Sequence, residues 1–433
     1  MSVEFVGLIV ILGMFLLMFL RVPVAISMVV PTFLGILYLR EWRVLSSALQ
    51  SLVWDNSFNY IMLTIPLFVL MGHLIYISGI SSELFLTFKL WFGKLKGGLG
   101  IATIGSSSLF AAASGSSLAT ASTIGVIASK EMLGAGYNKP FTATTILAGG
   151  TLGMLIPPST LLIMYGYLTG QSIGQLLMAA VLPGILLTFL YIVTVYVAVL
   201  INPKLAPMQN VDATWKERFV SLKSTSWIIV LFVIIIGGIY QGIFTSTEAA
   251  GVGAFGTFLI ALIRRKLTWK NFLEALLSTA TTTGFIFAIV LSSFILNYFL
   301  AITRIPMLLT DFLSGTELTA LSIFLLIILM YLLLGAVMDS MAMIVITIPI
   351  VIPIMQAYDF NLIWFGIIMV IIVELALITP PVGMLCFVLD GITPEITLSQ
   401  IYKGALLTVV PMFVFLILLY IFPEIVLFIP SLM

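Results

Sequence analysis

Apolar stretches of about twenty residues recur from one end of this chain to the other, the length an α-helix needs to cross a bilayer. They fall at about 3–20, 22–40, 58–79, 141–168, 175–201, 226–244, 247–263, 276–302, 361–389 and 401–422. Only 8% of the residues are charged and 61% are hydrophobic, whereas a soluble domain carries about 25% charged residues. The expected fold class is therefore an all-α polytopic membrane protein. A net charge of +1 leaves no basic surface for nucleic acid, and a single cysteine, Cys386, excludes an internal disulfide and a cysteine metal site. The opening residues, MSVEFV, lack a basic n-region and a small-residue cleavage site, so they read as the start of a first span rather than a removed signal.

Two of the spans cannot be continuous helices. In "GMLIPPSTLL" (Gly153–Leu162) the adjacent prolines remove two backbone donors and clash with the preceding turn, which breaks the helix near Ile156. "LALITPPVGML" (Leu375–Leu385) repeats the device. In hydrocarbon, a broken helix is tolerated only where it is buried in protein or lines a polar cavity. Two further apolar segments, about 98–129 and 319–356, are interrupted at their centres and read as re-entrant hairpins. With both hairpins returning to the side they entered from, 15 of the lysines and arginines share one face and 3 (Arg40, Arg43 and Arg304) the other. The basic face is expected in the cytoplasm and both termini outside. A simple crossing at 98–129 would invert the later loops and destroy this bias.

A shift of 223 residues lays Pro157-Pro158 on Pro380-Pro381, Asn138 on Asn361 and Ser117 on Ser340. It also lays the first hairpin tip, "AASGSSLAT" (Ala112–Thr120), on "GAVMDSMAM" (Gly335–Met343). On the charge model one hairpin opens inward and the other outward, so the halves are inverted-topology repeats. Paired interruptions in such halves are the strongest sequence pointer to a transporter's binding site. The longest polar connection, with Pro203, Pro207, Asp212, Lys216, Glu217 and Arg218, separates them. The expected organisation is scaffold helices and entry to an arm (1–80), a first repeat core (81–201), a cytoplasmic linker (202–225), scaffold helices (226–300) and a second repeat core (301–433). Amphipathic segments at Ser81–Gly100 and Ile302–Gly315 precede the hairpins, a position suited to arms that join them to a static scaffold.

An unwound helix frees carbonyl oxygens, which suit a hard cation such as Na+, and half-helix N-termini offer N–H groups, which suit a carboxylate. Polar supplements near the first break are Ser114, Ser116, Ser117, Thr120 and Ser159; near the second they are Asp339, Ser340 and Thr379. Asp339 reads either as a cation ligand or as a hairpin tip solvated by water. Glu374, mid-span, either pairs internally or binds a proton, and Glu248 reads as an interfacial helix cap. His73, the one histidine, reads as a hydrogen-bonded packing residue rather than a ligand.

These segments resemble the large membrane subunit of tripartite ATP-independent periplasmic (TRAP) transporters, DctM type. The resemblance is carried by "IPLFVLMGHL" (Ile65–Leu74), "FAAASGSSLATASTIG" (Phe110–Gly125), "GYNKPFTATTILAGGTLGMLIPPS" (Gly136–Ser159), "YQGIFTSTEAAGVGA" (Tyr240–Ala254), "GAVMDSMAMIVITIPI" (Gly335–Ile350) and "ELALITPPVGM" (Glu374–Met384). It implies an elevator-type ion-transporter fold in a bacterial inner membrane, with Na+ as coupling ion. It further implies uptake of an organic acid such as a C4-dicarboxylate or sialic acid, a separate four-helix small subunit (DctQ type) and a periplasmic substrate-binding protein (DctP type). Carried over by motif, one cation site falls at Ser114, Gly115, Ser116 and Ser117 with Gly153, Ile156, Pro157 and Ser159. The other falls at Gly335, Val337, Asp339 and Ser340 with Thr379, Pro380 and Gly383. The substrate is expected between the tips, near Ser116, Ser117, Thr120, Ser159, Asp339 and Ser340. A divalent-anion sodium symporter that works without a binding protein is the second transporter reading.

No enzyme is expected. An intramembrane serine protease would need His73 to face Ser114, and nothing in the sequence aligns them. HExxH and paired-aspartate protease motifs are lacking.

Overall fold

The expected spans are helical in the computed structural model, which describes residues 2–57, 59–209 and 213–433; position 58, where a span is expected to begin, and Asp212 of the polar connection lie outside the described residues. α1 (Val3–Phe19) and α2 (Val24–Leu39) form an antiparallel pair, followed by α3 (Trp42–Ser57) and α4 (Thr64–Ile77). The hydropathy reading has no α3, because its polar residues hold it below a span; Trp42 and Trp54 on it are exposed. α5 (Ile80–Phe92) occupies the segment expected as the first arm, α6 (Gly98–Ser114) and α7 (Ser117–Gly134) form the first hairpin, α8 (Lys139–Thr151) and α9 (Thr160–Thr169) the first broken helix, and α10 (Ile173–Ile201) its closing span.

α11 (Trp215–Tyr240) starts earlier than hydropathy suggests. A capping box, in which the Thr214 side chain accepts from the Glu217 N–H and the Glu217 carboxylate accepts from the Thr214 N–H, launches the helix inside the polar connection. The linker assigned to 202–225 is thus helical from Trp215 onward. α12 (Ser246–Ile263) opens on a second capping box, between Thr245 and Glu248, the cap role expected of Glu248. Then come α13 (Trp269–Thr303), the second arm α14 (Ile305–Ser314), the second hairpin α15 (Ala320–Leu334) and α16 (Ser340–Ala357), the second broken helix α17 (Leu362–Ile378) and α18 (Met384–Ile392), and the closing span α19 (Leu398–Ile421). Among the described residues, six continuous helices are long and apolar enough to cross a membrane, and the bent α11 makes a seventh.

The repeat is visible in the capping chemistry. Asn138 caps α8 and Asn361 caps α17, each with its side-chain oxygen; Ser116 caps α7 and Asp339 caps α16. Both pairs obey the 223-residue shift, as do two cis peptide bonds, Pro157-Pro158 and Pro380-Pro381. The halves also exchange partners: α8 packs on α19, and α17 on α10. At the first of these contacts a Cβ on Gly404 would stand 2.4 Å from the Pro140 carbonyl oxygen, so only glycine lets the helices approach this closely. Thr144 Oγ1 donates to the Gly404 carbonyl (2.9 Å), and Thr408 Oγ1 donates to that of Thr144 (3.1 Å).

The remaining helices gather around α4, which packs between α12 and α13, while α2 packs on α13. Thr64 and Thr247 hydroxyls meet at 2.7 Å in the α4–α12 contact. α5 bridges the two groups: Glu83 pairs with Arg264 at the end of α12, and Lys89 pairs with Glu131 on α7, both at 2.5 Å.

Candidate functional site: hairpin tips against broken helices

The first hairpin turns at Gly115, whose φ of 58° lies in the left-handed region. Ser116 then caps α7 by accepting from the Ala119 N–H at 3.3 Å. This tip sits on the first break. Thr160 Oγ1 donates to the Gly115 carbonyl (3.0 Å), and an added Cβ on Gly153 would fall 2.5 Å from Ser117 Cα. Ser114 and Thr120 hydroxyls lie 2.9 Å apart inside the turn. Ser159 is consumed as the cap of α9, accepting from the Leu162 N–H.

Between the two halves of that helix, the carbonyl oxygens of Gly153 through Pro158 accept no hydrogen bond from any described residue, although all but the half-buried Ile156 belong to buried residues. Buried carbonyls are nearly always paired. A run of unpaired ones has the composition of a hard-cation site, whose ligands are oxygens.

The second frame is built differently. Gly335 presses on Ala376, where an added Cβ would stand 2.4 Å from the alanine Cβ. Asp339 Oδ1 accepts from the Ala342 N–H at 3.0 Å, so one carboxylate oxygen is committed to capping. Val337 at this tip is 46% exposed, and Pro380 and Pro381 are exposed as well. The Tyr402 hydroxyl lies 2.9 Å from the Pro381 carbonyl and 2.7 Å from that of Val382, leaving Thr379 and Pro380 carbonyls without a partner among the described residues.

A cavity of about 1020 Å³ is lined by the tips together with residues of α4 and α13. It is lined by residues at the N-terminal ends of four half-helices: Ser116 at α7, Thr160 at α9, Ser340 at α16 and Met384 at α18. Helix N-termini present unpaired N–H groups and a positive dipole end. Of the expected substrate residues, Ser116, Asp339 and Ser340 line this cavity; Ser117, Thr120 and Ser159 are buried behind it.

His73 departs from the sequence reading. It makes no hydrogen bond or ion pair with any described residue and lines the cavity, half-buried, next to Gly72, which abuts the Ser114 backbone. Ser114 directs its hydroxyl at Thr120 and Ser116 rather than at His73, so the two form no Ser–His dyad.

Glu374 was outside the expected site, and the structure brings it there. Its Oε1 accepts from Ser117 Oγ at 2.5 Å, across 257 residues of sequence. A carboxylate six residues before a double proline was the available signal; its partner in the opposite half was not readable from spacing.

The family model of the "Tripartite ATP-independent periplasmic transporter, DctM component" matches residues 11–425. This chain belongs to the DctM family. Among its family relatives, a C4-dicarboxylate TRAP transporter large permease protein DctM of Vibrio cholerae is 33% identical, with 96% of each chain covered. A sialic acid TRAP transporter large permease protein SiaM of the same organism is 32% identical, again over 96% of each. The YdaH transporter of Alcanivorax borkumensis, a crystal structure with an unusual topology, shares the fold of this DctM-family chain at a TM-score of 0.60, with 13% identity and 89% of each chain covered.

Proposed function

We infer that this large permease subunit moves an organic acid across the bacterial inner membrane by coupling it to Na+, with both termini in the periplasm. The observation that carries the reading is the run of unpartnered carbonyls in the largely buried Gly153–Pro158 segment, with a hairpin tip seated directly on Gly153. Those oxygens fit a hard monovalent cation; Ser114, Ser116 and Ser117 supply hydroxyls beside them. Thr379 and Pro380 carbonyls, with Asp339, would hold a second. Na+ supplies the charge that lets an anion enter a low-dielectric site, and the downhill gradient that drives it.

The anion itself is read by the four half-helix N-termini around the cavity, a donor set without lysine or arginine. The relatives named for C4-dicarboxylates and sialic acid support a carboxylate substrate. A small DctQ-type membrane subunit and a DctP-type periplasmic binding protein complete the transporter, since the family is tripartite. The binding protein delivers the acid. Residues 1–80 and 226–300 form the static scaffold, and 81–201 with 301–433 the elevator domain, joined by the arms.

The test is uptake into proteoliposomes holding the permease and small subunit, with binding protein added outside. Uptake driven by an imposed Na+ gradient is expected. Uptake that ignores Na+ and follows a pH gradient would overturn the coupling, and uptake without binding protein would favour a divalent-anion symporter.

A further inference from the structure

Glu374 lies in mid-span of α17 and is 1% exposed. One oxygen accepts the Ser117 hydroxyl hydrogen bond; the other, Oε2, is buried without a partner among the described residues. A carboxylate in the interior of a membrane protein with a single hydrogen bond is costly, and either a proton on it or an opposite charge beside it relieves the imbalance. Among the described residues, no arginine, lysine or histidine forms an ion pair with it. What adjoins it is Ser117, whose backbone abuts Gly153 at the head of the unpaired carbonyl run.

We propose that Glu374 is the charged ligand of the first cation frame, contributed across the pseudo-symmetry axis by the opposite half. A cation among neutral carbonyls would itself be an uncompensated charge in low dielectric. Glu374 Oε2 cancels that charge, and Ser117 orients the carboxylate by donating to Oε1. The inference rests on the cation-coupled reading above and extends it to a residue outside both motif-derived sites.

The repeat comparison sharpens the point. Under the 223-residue shift, Glu374 corresponds to Thr151 and Asp339 to Ser116, both neutral. Thr151 is occupied with the Tyr191 hydroxyl at 2.8 Å. Both carboxylates near the tips therefore come from the second half, and Glu374 serves the first frame. The two cation sites are electrostatically unlike copies of one scaffold.

The experiment is Na+-dependent thermal stabilisation of the purified permease–small subunit complex, titrating NaCl against choline chloride at constant ionic strength. A ligand that binds only the native state raises the unfolding midpoint with its concentration. Glu374→Gln keeps the acceptor for Ser117 and the side-chain volume but removes the charge; it is expected to raise the half-effective Na+ concentration about tenfold or more. Ser117→Ala, which deletes one small hydroxyl, is expected to raise it by a smaller factor and guards against a Gln variant that fails to fold. An unchanged half-effective concentration in either folded variant overturns the assignment. A wild-type complex with no Na+-specific stabilisation overturns the coupling reading beneath it instead.

Discussion

Replacing Gly153 with alanine tests whether the first hairpin tip must seat on the first break. Gly153 is absent from the glycines with positive φ, so an alanine there carries no backbone strain and the whole effect is one of space. The added Cβ would stand 2.5 Å from Ser117 Cα and 2.6 Å from the Ser116 carbonyl carbon and oxygen. Carbon–carbon contact is comfortable at about 3.5–4.0 Å, so the tip must retreat by roughly 1 Å. Backbone stands on both sides, and no rotamer change relieves the clash. Overpacking of this kind costs about 1–3 kcal/mol. If about 2 kcal/mol falls on the seated, cation-binding arrangement, the half-effective Na+ concentration rises about thirtyfold. Thermal stabilisation by Na+ reads this directly, and initial uptake rates at limiting Na+ should fall in parallel. Gly251→Ala is the control: nothing lies within 4 Å of its added Cβ, and alanine in mid-helix is favoured by about 1 kcal/mol. A Gly153→Ala complex with wild-type Na+ response and wild-type melting midpoint would refute the seating argument.

The proposed sliding of the hairpin past α4 can be tested by cross-linking. A Cβ on Gly72 would lie 3.2 Å from Ser114 Cα, close enough for the Cβ spacing of about 3.5–4.5 Å that a disulfide needs. With buried Cys386 replaced by serine, Gly72→Cys with Ser114→Cys is expected to lose uptake on oxidation and regain it on reduction, relative to each single variant. Undiminished uptake by the oxidised pair would argue against movement at this face. Thr144→Val removes the hydroxyl that links α8 to the Gly404 carbonyl and is expected to lower unfolding stability by about 1 kcal/mol. Differential scanning measurements check that loss, and uptake per folded molecule should stay near wild type.

The interruptions were legible because proline and glycine act locally. Pro157-Pro158 and Pro380-Pro381 end α8 and α17 a few residues upstream, at Thr151 and Ile378. The hairpin tips followed from the same logic, with Ser116 and Asp339 appearing as caps at the expected turn. Long-range pairing was not legible. Glu374 finds Ser117 and Tyr402 finds the second break through tertiary packing, which spacing within one segment does not encode. α3 escaped notice because an amphipathic surface helix lacks the continuous apolar run that marks a span. His73 was misjudged for a related reason: a lone polar residue on an apolar helix looks alike in sequence whether it faces a core or a cavity.

The exchange of partners between the halves restricts how the sites can move. The first frame takes its hairpin and break from one half and Glu374 from the other, while α8 rests on α19 and α17 on α10. Neither frame can shift without dragging the other. On the proposed elevator reading, both frames travel as one body past α4 and α13. The α4 and α13 sides of the cavity carry Val69, Gly72, His73, Tyr76, Thr282, Phe285 and Ile286, with no carboxylate, lysine or arginine among them. The arm α5 is held by charge at both ends, with Glu83 on Arg264 and Lys89 on Glu131. These two ion pairs tie α5 to α12 on one side and to α7 on the other.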